Sequence, residues 1–211
     1  AVGAILSSNA LDPAFKAEAV MLPGEALIAD RMAVIDPDAI HAAREGLRQA
    51  LGTALADPLR AAQSAASFAG SDLSPPAKGE RRLRTVALGL IAAGDVAGGS
   101  ALAKVQFDGA DNMTDRLGAL GILASLDAPQ REEALTDFYE RYRGNPLVLD
   151  KWFAIQATSQ RADTVDAVER LTRHKDFTLA NPNRLRALAG TFGANQWAFH
   201  DASGRGYALL A

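Results

Sequence analysis

The sequence of 211 residues contains no cysteine and only three histidines, His41, His174 and His200. Without cysteine the chain cannot form disulfides or the common cysteine-ligated zinc sites. No two histidines are four residues apart, so the HExxH zinc motif is absent. No apolar run reaches the roughly 18 residues that span a bilayer, and residues 1–10 lack the basic and long apolar regions of a signal peptide. The sequence therefore predicts neither a metal site nor a membrane partner.

Neither sign of charge is in large excess, because the sequence has 22 Lys+Arg and 25 Asp+Glu and a net charge of -3. Such a chain has no general attraction to nucleic acid or to an anionic membrane surface. Nucleic acid is therefore not predicted as a partner. The hydrophobic content of 48% and the charged content of 22% are ordinary for a soluble globular protein. A chain of this length can bury a substantial core.

The residues that are abundant are helix formers, chiefly Ala, Leu and Arg, and alternating β-branched runs are scarce. Asp-Pro or Asn-Pro pairs at 12–13, 36–37, 145–146 and 181–182 are typical of a side-chain cap with proline at the first helical position. The spacing of apolar residues predicts helices over 13–22, 24–33, 37–66, 80–93, 95–106, 112–126, 129–143, 146–159, 163–174 and 182–194. Short links make neighbouring helices antiparallel. The predicted fold class is all-α, an irregular superhelical, α-solenoid-like array of antiparallel helix pairs.

The domain organisation follows from the same pattern. One helical domain over 1–211 is expected. The Pro/Gly/Ser-rich stretch 68–79 is predicted to be a loop and is the only plausible internal boundary, although it looks more like an insertion than a linker. The helix over 37–66 has Asp57-Pro58 inside it, where we expect a bend or a restart. The ERRLR segment at 80–84 reads as a basic helix start, either a solvated face or a contact with another domain.

A search for catalytic constellations finds none. His41 and Glu45 share one helix face and could make half a metal site, but a surface ion pair is the simpler interpretation. His174 lies at a helix C-terminus, where a cation suits the helix dipole. The glycines of AAGDVAGGSALAK lack the Gly-Lys-Ser/Thr ending of a phosphate loop, and no GxSxG motif occurs. By its residues alone the chain is a helical binding or structural domain.

The order of several motifs is more specific than any one of them. ADRMAVIDPDAIHAAREGLRQALGTALAD is followed by KVQFDGADNMTDRLGAL, then by NPLVLDKWFAIQAT and FTLANPNRLRALAGTF. This series, from about residue 10 to residue 207, closely resembles the C-terminal helical domain of bacterial aminopeptidase N, the zinc-dependent alanyl aminopeptidase family. The loop at 68–79 does not match the family pattern. The family continues with several more helices after GYALL, so the resemblance implies a domain that is incomplete at its C-terminal end.

The resemblance implies that this chain is one domain of a larger bacterial, cytoplasmic enzyme that removes N-terminal residues from peptides. The zinc site, HExxH with a downstream Glu, lies in a preceding thermolysin-like domain, which would be the partner of this chain together with peptide substrates. The helical domain walls an internal cavity and limits access to small or unfolded peptides. This chain would then hold no cofactor and be inactive by itself. The alternative is a stand-alone helical scaffold that binds peptides or proteins along a concave surface.

The ANPNRLRALAGTFG segment at 180–193 supplies the candidate site residues. A helix predicted to start at Pro182 places Leu185, Leu188, Ala189 and Phe192 on one apolar stripe. Arg184 and Arg186 lie about 200° apart around that helix, so we expect them to flank the stripe on opposite sides. Arg184 is the candidate for a buried ion pair. Arg186, with Arg184 and Asn183 beside it, is the predicted cavity wall; two ordinary helix arginines paired with nearby acids remain the alternative.

Overall fold

The computed structural model describes residues 1–65 and 69–211. Position 66 at the end of the predicted 37–66 helix, position 67, and Phe68 at the start of the predicted 68–79 loop lie outside the described residues. Every regular element in the described part is helical, which confirms the all-α prediction. In chain order the helices are α1 Val2–Ser7, α2 Pro13–Val20, α3 Glu25–Ala29, α4 Pro37–Ala54, α5 Ala56–Ser64, α6 Pro75–Gly94, α7 Val96–Gly109, α8 Met113–Ala124, α9 Gln130–Tyr142, α10 Pro146–Ala157, α11 Thr164–Thr172, α12 Pro182–Leu185, the π-helical turn Arg186–Gly190, α13 Thr191–Ala194, α14 Gln196–Phe199 and α15 Arg205–Leu210. None of them combines the length and the apolar character needed to cross a membrane.

The predicted Asx-Pro caps form as expected. The carboxylate of Asp12 accepts hydrogen bonds from the N–H groups of Ala14 and Phe15, and Asn145 and Asn181 cap α10 and α12 in the same way. These side chains satisfy backbone donors that have no partner inside the helix. The sequence signal was sufficient here because each cap depends on a few consecutive residues.

Several elements differ from the predicted ones: α1, α14 and α15 are not predicted, and α3 spans Glu25–Ala29 where a helix over 24–33 is predicted. Helix α6 starts at Pro75, inside the stretch predicted as a loop, because Ser74 caps it and two prolines fill its first positions. The restart expected near Asp57-Pro58 in the predicted 37–66 helix is confirmed, because the helix is interrupted at Leu55 (φ -116°, ψ 26°) and α5 starts at Ala56. This break places Pro58 in the first turn of α5, where a missing N–H costs no intrahelical hydrogen bond.

The basic ERRLR segment consequently lies within α6, and it is a solvated face only in part, because Arg82 is exposed. Arg81 is buried and donates to the backbone carbonyl of Asp72, and Arg82 pairs with Glu18 at 2.5 Å. Arg84 lies 3.7 Å from the buried carboxylate of Asp115. All of these partners belong to the same compact unit.

Contacts divide the chain into two compact units. Unit 1 comprises 1–24 and 42–123, and unit 2 comprises 25–41 and 124–211. The single domain over 1–211 stays a prediction. In unit 1, α6 packs against α2, α5 and α7. The core of this unit is Leu6, Ala17, Val20, Leu59, Leu83, Ala87, Leu90 and Ile91.

In unit 2, α10 is the helix around which the others pack. It contacts α9, α11, α12, the π-helical turn and α13. Four side chains at the centre are fully buried: Phe138, Phe153, Leu188 and Phe192. Trp152 is also buried and donates its indole N–H to the carbonyl of Leu135 at 2.9 Å, so this side chain belongs to the core. This unit contains the candidate site residues.

Candidate functional site

The cap at Asn181 fixes where the site helix begins. Its side-chain oxygen accepts from the N–H groups of Asn183 at 3.0 Å and Arg184 at 3.3 Å. Helix α12 is continued by the π-helical turn, in which the backbone hydrogen bonds span one residue more than in an α-helix. The hydroxyl of Thr191 donates to the carbonyl of Arg186 at 3.3 Å. Arg186 therefore lies at the junction between a regular turn and a widened one.

The widened turn corrects the predicted apolar stripe. Leu188 and Phe192 are fully buried as expected, but Leu185 is 36% exposed. The prediction assumed the α-helical period throughout. The π-helical turn inserts one extra residue between Leu185 and the buried side chains, which removes Leu185 from their register.

The guanidinium of Arg184 is buried and binds other residues of unit 2. Its Nε donates to Asp150 at 2.5 Å, and Nη1 donates to the backbone carbonyl of Asp176. The guanidinium carbon lies 4.9 Å from the centre of the Phe153 ring, which adds a cation–π contact. The predicted buried ion pair of Arg184 is therefore confirmed. The carboxylate of Asp150 also explains why the Arg184 cation is tolerated at the positive end of a helix dipole.

The other two predicted wall residues are on the outside. Arg186 and Asn183 are exposed, and the described part of the chain supplies no carboxylate partner for Arg186. The alternative of an ordinary paired helix arginine thus applies to Arg184 and not to Arg186. Two exposed leucines, Leu179 and Leu185, flank these residues along the chain. The cavity-wall role of Arg186, Arg184 and Asn183 stays a prediction.

A second layer of side chains holds the segment that leads into α12. The hydroxyl of Tyr139 donates to Asp176 at 2.6 Å, and the Nδ1 of His174 accepts from the backbone N–H of Asp176 at 3.2 Å. The His174 ring lies within an aromatic group formed by Tyr139, Trp152 and Phe153, with ring centroids 5.3, 5.3 and 5.6 Å away. The predicted helix-end position is correct, but this imidazole is a packing and hydrogen-bonding group. Sequence reasoning missed it because these aromatic partners lie on two other helices.

Burial lowers the pKa of His174 below its ordinary value of 6.5. Asp176 opposes this effect, and the positive charges of Lys175 and Arg184 add to it. We expect the free energy of unfolding to decrease as the pH falls through about 6.5, because the unfolded state then binds a proton that the folded state does not. Thermal unfolding followed between pH 7.5 and 5.5 measures this slope.

The matched variant is His174→Asn, which keeps an acceptor for the Asp176 N–H and removes the titrating group. The slope of stability against pH should be flatter in this variant. An unchanged slope would assign the pH dependence to other groups. Carboxylates with lowered pKa values, such as Asp163 and Asp201, contribute at more acidic pH.

The histidines do not assemble a metal site. His41 bonds Glu25 at 2.8 Å and not the predicted Glu45, which pairs instead with Arg44 and Arg48. The Nδ1 of His200 is 2.5 Å from the hydroxyl of Tyr207. Within the described ranges no group of three or more His, Cys, Asp or Glu side chains is placed to hold a metal ion. The zinc implied by the resemblance therefore has no ligand set among these residues.

Unit 2 also has a small cavity of about 70 Å³. Arg161, Arg205 and Asp201 line its polar side, and Trp197 and Val165 line its apolar side. Arg161 already pairs with Asp127 and Asp163, and Arg205 with Asp166 and Glu169. Its arginines are thus occupied, and its volume suits a few water molecules rather than a peptide.

The chain is similar to known proteins along its whole length. A family described as "Domain of unknown function (DUF3458_C) ARM repeats" matches residues 1–211. Aminopeptidase N of Caulobacter vibrioides is 41% identical over 213 residues, which cover 100% of this chain and 25% of that protein. Aminopeptidase N of Escherichia coli K12 is 38% identical over 208 residues, or 98% of this chain and 24% of that protein. The chain thus spans about a quarter of the length of these relatives.

A solved structure gives the same result. The crystal structure of Legionella pneumophila aminopeptidase A in complex with aspartic acid matches 98% of this chain and 25% of its own, with a TM-score of 0.88 and 29% identity. The ARM-repeat description agrees with the predicted array of helix pairs. The chain belongs to the DUF3458_C family of ARM-repeat domains, and its predicted resemblance to the C-terminal helical domain of bacterial aminopeptidase N is confirmed.

Proposed function

We propose that this chain is the helical domain of a zinc metallo-aminopeptidase that removes N-terminal amino acids from peptides, and that it contains none of the catalytic residues. The observation that carries the proposal is the match of the entire chain to about a quarter of aminopeptidase N. The scattered histidines support it, because His41, His174 and His200 each have a separate structural partner. Zinc would be held by the catalytic, thermolysin-like part of the polypeptide.

We further propose that the domain walls an internal cavity and controls which peptides enter it. Arg186 and Asn183 supply exposed polar groups at the wall, and Arg184 holds them in place from beneath through its bond to Asp150. A guanidinium without a carboxylate partner can donate to peptide carbonyl or carboxylate oxygens. The Asn181 cap and the buried Arg184–Asp150 pair hold the backbone from which these side chains project.

The chain alone should contain only background zinc and should not hydrolyse an alanyl chromogenic substrate. The full-length polypeptide that carries it should bind stoichiometric zinc and hydrolyse this substrate. Metal analysis and initial rates check this. Stoichiometric zinc or turnover in the 211-residue chain would overturn the proposal. So would a reading frame that starts near residue 1 and encodes no HExxH, which would favour the helical scaffold instead.

The wall residue is tested in the same full-length polypeptide. Arg186→Ala should change kcat/KM for longer peptides more than for a single-residue chromogenic substrate, because only longer peptides reach the wall. Kinetics equal to the unsubstituted enzyme at every peptide length would remove the wall role. The matched control is Arg173→Ala, an exposed arginine of unit 2 that pairs with Glu169.

A further inference from the structure

An exposed apolar strip lies in unit 2 between α3 and α4. All six residues from 31 to 36 are exposed, and the strip contains Met32, Val34 and Ile35 with exposed fractions of 41%, 79% and 54%. Leu27, on the preceding helix, is 53% exposed. Single exposed apolar residues are normal on a protein surface, but a contiguous group marks an interaction site.

The backbone of the strip is also unpaired. The N–H groups of Ala33, Val34 and Ile35 have no hydrogen-bond partner in the part of the chain that the structure describes. Water satisfies such groups while they are exposed. A partner that covers the strip has to supply both apolar surface and backbone or side-chain polar groups, because buried N–H groups are nearly always paired.

The strip is held firmly at both ends, so its exposure is not the fraying of a loose end. On the α3 side, Arg31 and Met32 donate backbone hydrogen bonds to Ile28 and Ala29, both at 3.0 Å. On the α4 side, the carboxylate of Asp36 accepts from the N–H of Ala39 at 3.0 Å. The segment therefore presents its apolar side chains from two fixed anchors.

A clasp of four side chains adds a tertiary anchor. The His41 ring stacks on Trp197 with centroids 3.8 Å apart and planes 2° from parallel. His41 also bonds Glu25 at 2.8 Å, and the indole N–H of Trp197 donates to Asp38 at 3.0 Å. These contacts join the helices on either side of the strip to α14.

We propose that the strip at 31–36 is a docking surface for another part of the same polypeptide, one with an apolar centre and a basic rim. The basic rim is inferred from charge, because the strip and its immediate neighbours carry three aspartates, Asp30, Asp36 and Asp38, and one arginine, Arg31. The rest of the polypeptide is the inferred occupant, because about three quarters of each matched relative lies outside the region that this chain covers. The inference rests on the proposed function, since it needs that larger polypeptide.

Hydrogen exchange at Ala33, Val34 and Ile35 tests the proposal in the 211-residue chain and in the full-length polypeptide. These amides should exchange close to the unprotected rate in the chain alone and at least about tenfold more slowly in the full-length polypeptide. Equal rates in the two would overturn the docking surface. They would leave the proposed function untouched, because zinc content and alanyl hydrolysis are measured separately.

A pair of variants gives an independent readout. Val34→Asp should leave the thermal unfolding midpoint of the 211-residue chain unchanged and should lower the midpoint of the full-length polypeptide. The control Val105→Asp, at a 69% exposed position in unit 1, should leave both midpoints unchanged. Equal effects of the two substitutions would contradict the proposal. Protection of the strip that appears in the chain alone and disappears on dilution would identify a second copy as the occupant and would overturn it as well.

Discussion

Replacement of Asp150 by alanine should destabilise unit 2 by about 3–5 kcal/mol, the loss typical of removing one partner from a buried ion pair. The side chains of Arg184 and Asp150 are only 6% and 15% exposed, so water compensates poorly for the lost carboxylate. Arg184 would keep its bond to the Asp176 carbonyl and its contact with Phe153, but its charge would be uncompensated. Both tryptophans of the chain belong to unit 2, so tryptophan fluorescence during urea unfolding measures the change.

Two controls separate charge from packing. Asp150→Asn keeps an acceptor oxygen for Arg184 and loses only the charge, so its effect should be intermediate. Asp127→Ala removes a carboxylate that also pairs with an arginine but is 97% exposed, and it should change stability little. If Asp150→Ala behaves like Asp127→Ala, the pair is not a structural anchor for α12, and the proposed support of the wall residues from beneath is contradicted.

The caps and the all-α class could be predicted because their causes are local. Asp12, Asn145 and Asn181 each act within three residues, and the abundance of helix formers acts within each helix. The start of α6 at Pro75 has a local cause as well. The Ser74 cap was overlooked there because the surrounding Pro, Gly and Ser residues are also typical of loops.

The site itself could be predicted only in part. The angular separation of about 200° predicts that Arg184 and Arg186 point to opposite sides of the helix, and in the structure Arg184 is buried whereas Arg186 is exposed. The partner of Arg184 could not be derived, because Asp150 is 34 residues away and meets it only after α10 and α12 pack. The same is true of His41, whose partners Glu25 and Trp197 lie 16 and 156 residues away in sequence. The π-helical turn has no sequence signal that distinguishes it from an α-helix.

A substitution of Gly52 by alanine should destabilise unit 1 by about 1–3 kcal/mol or more, as expected for overpacking against atoms that cannot move aside. A Cβ at this position would lie 2.2 Å from the carbonyl oxygen of Leu90 and 2.7 Å from the backbone nitrogen of Gly94. The clash is reciprocal, because a Cβ on Gly94 would lie 2.5 Å from the backbone of Gly52 and Thr53. Helices α4 and α6 thus cross in backbone contact, and any side chain forces them apart.

The same helix supplies the matched control for this prediction. Gly46 is exposed in α4, and a Cβ there would meet nothing within 4 Å. Gly46→Ala should therefore stabilise the protein by about 0.5–1 kcal/mol, because alanine has the higher helix propensity. That gain also applies at position 52, so the measured loss there understates the steric cost. Far-UV circular dichroism during urea unfolding compares the two variants, and a stabilised Gly52→Ala would show that α4 and α6 can separate without loss of packing.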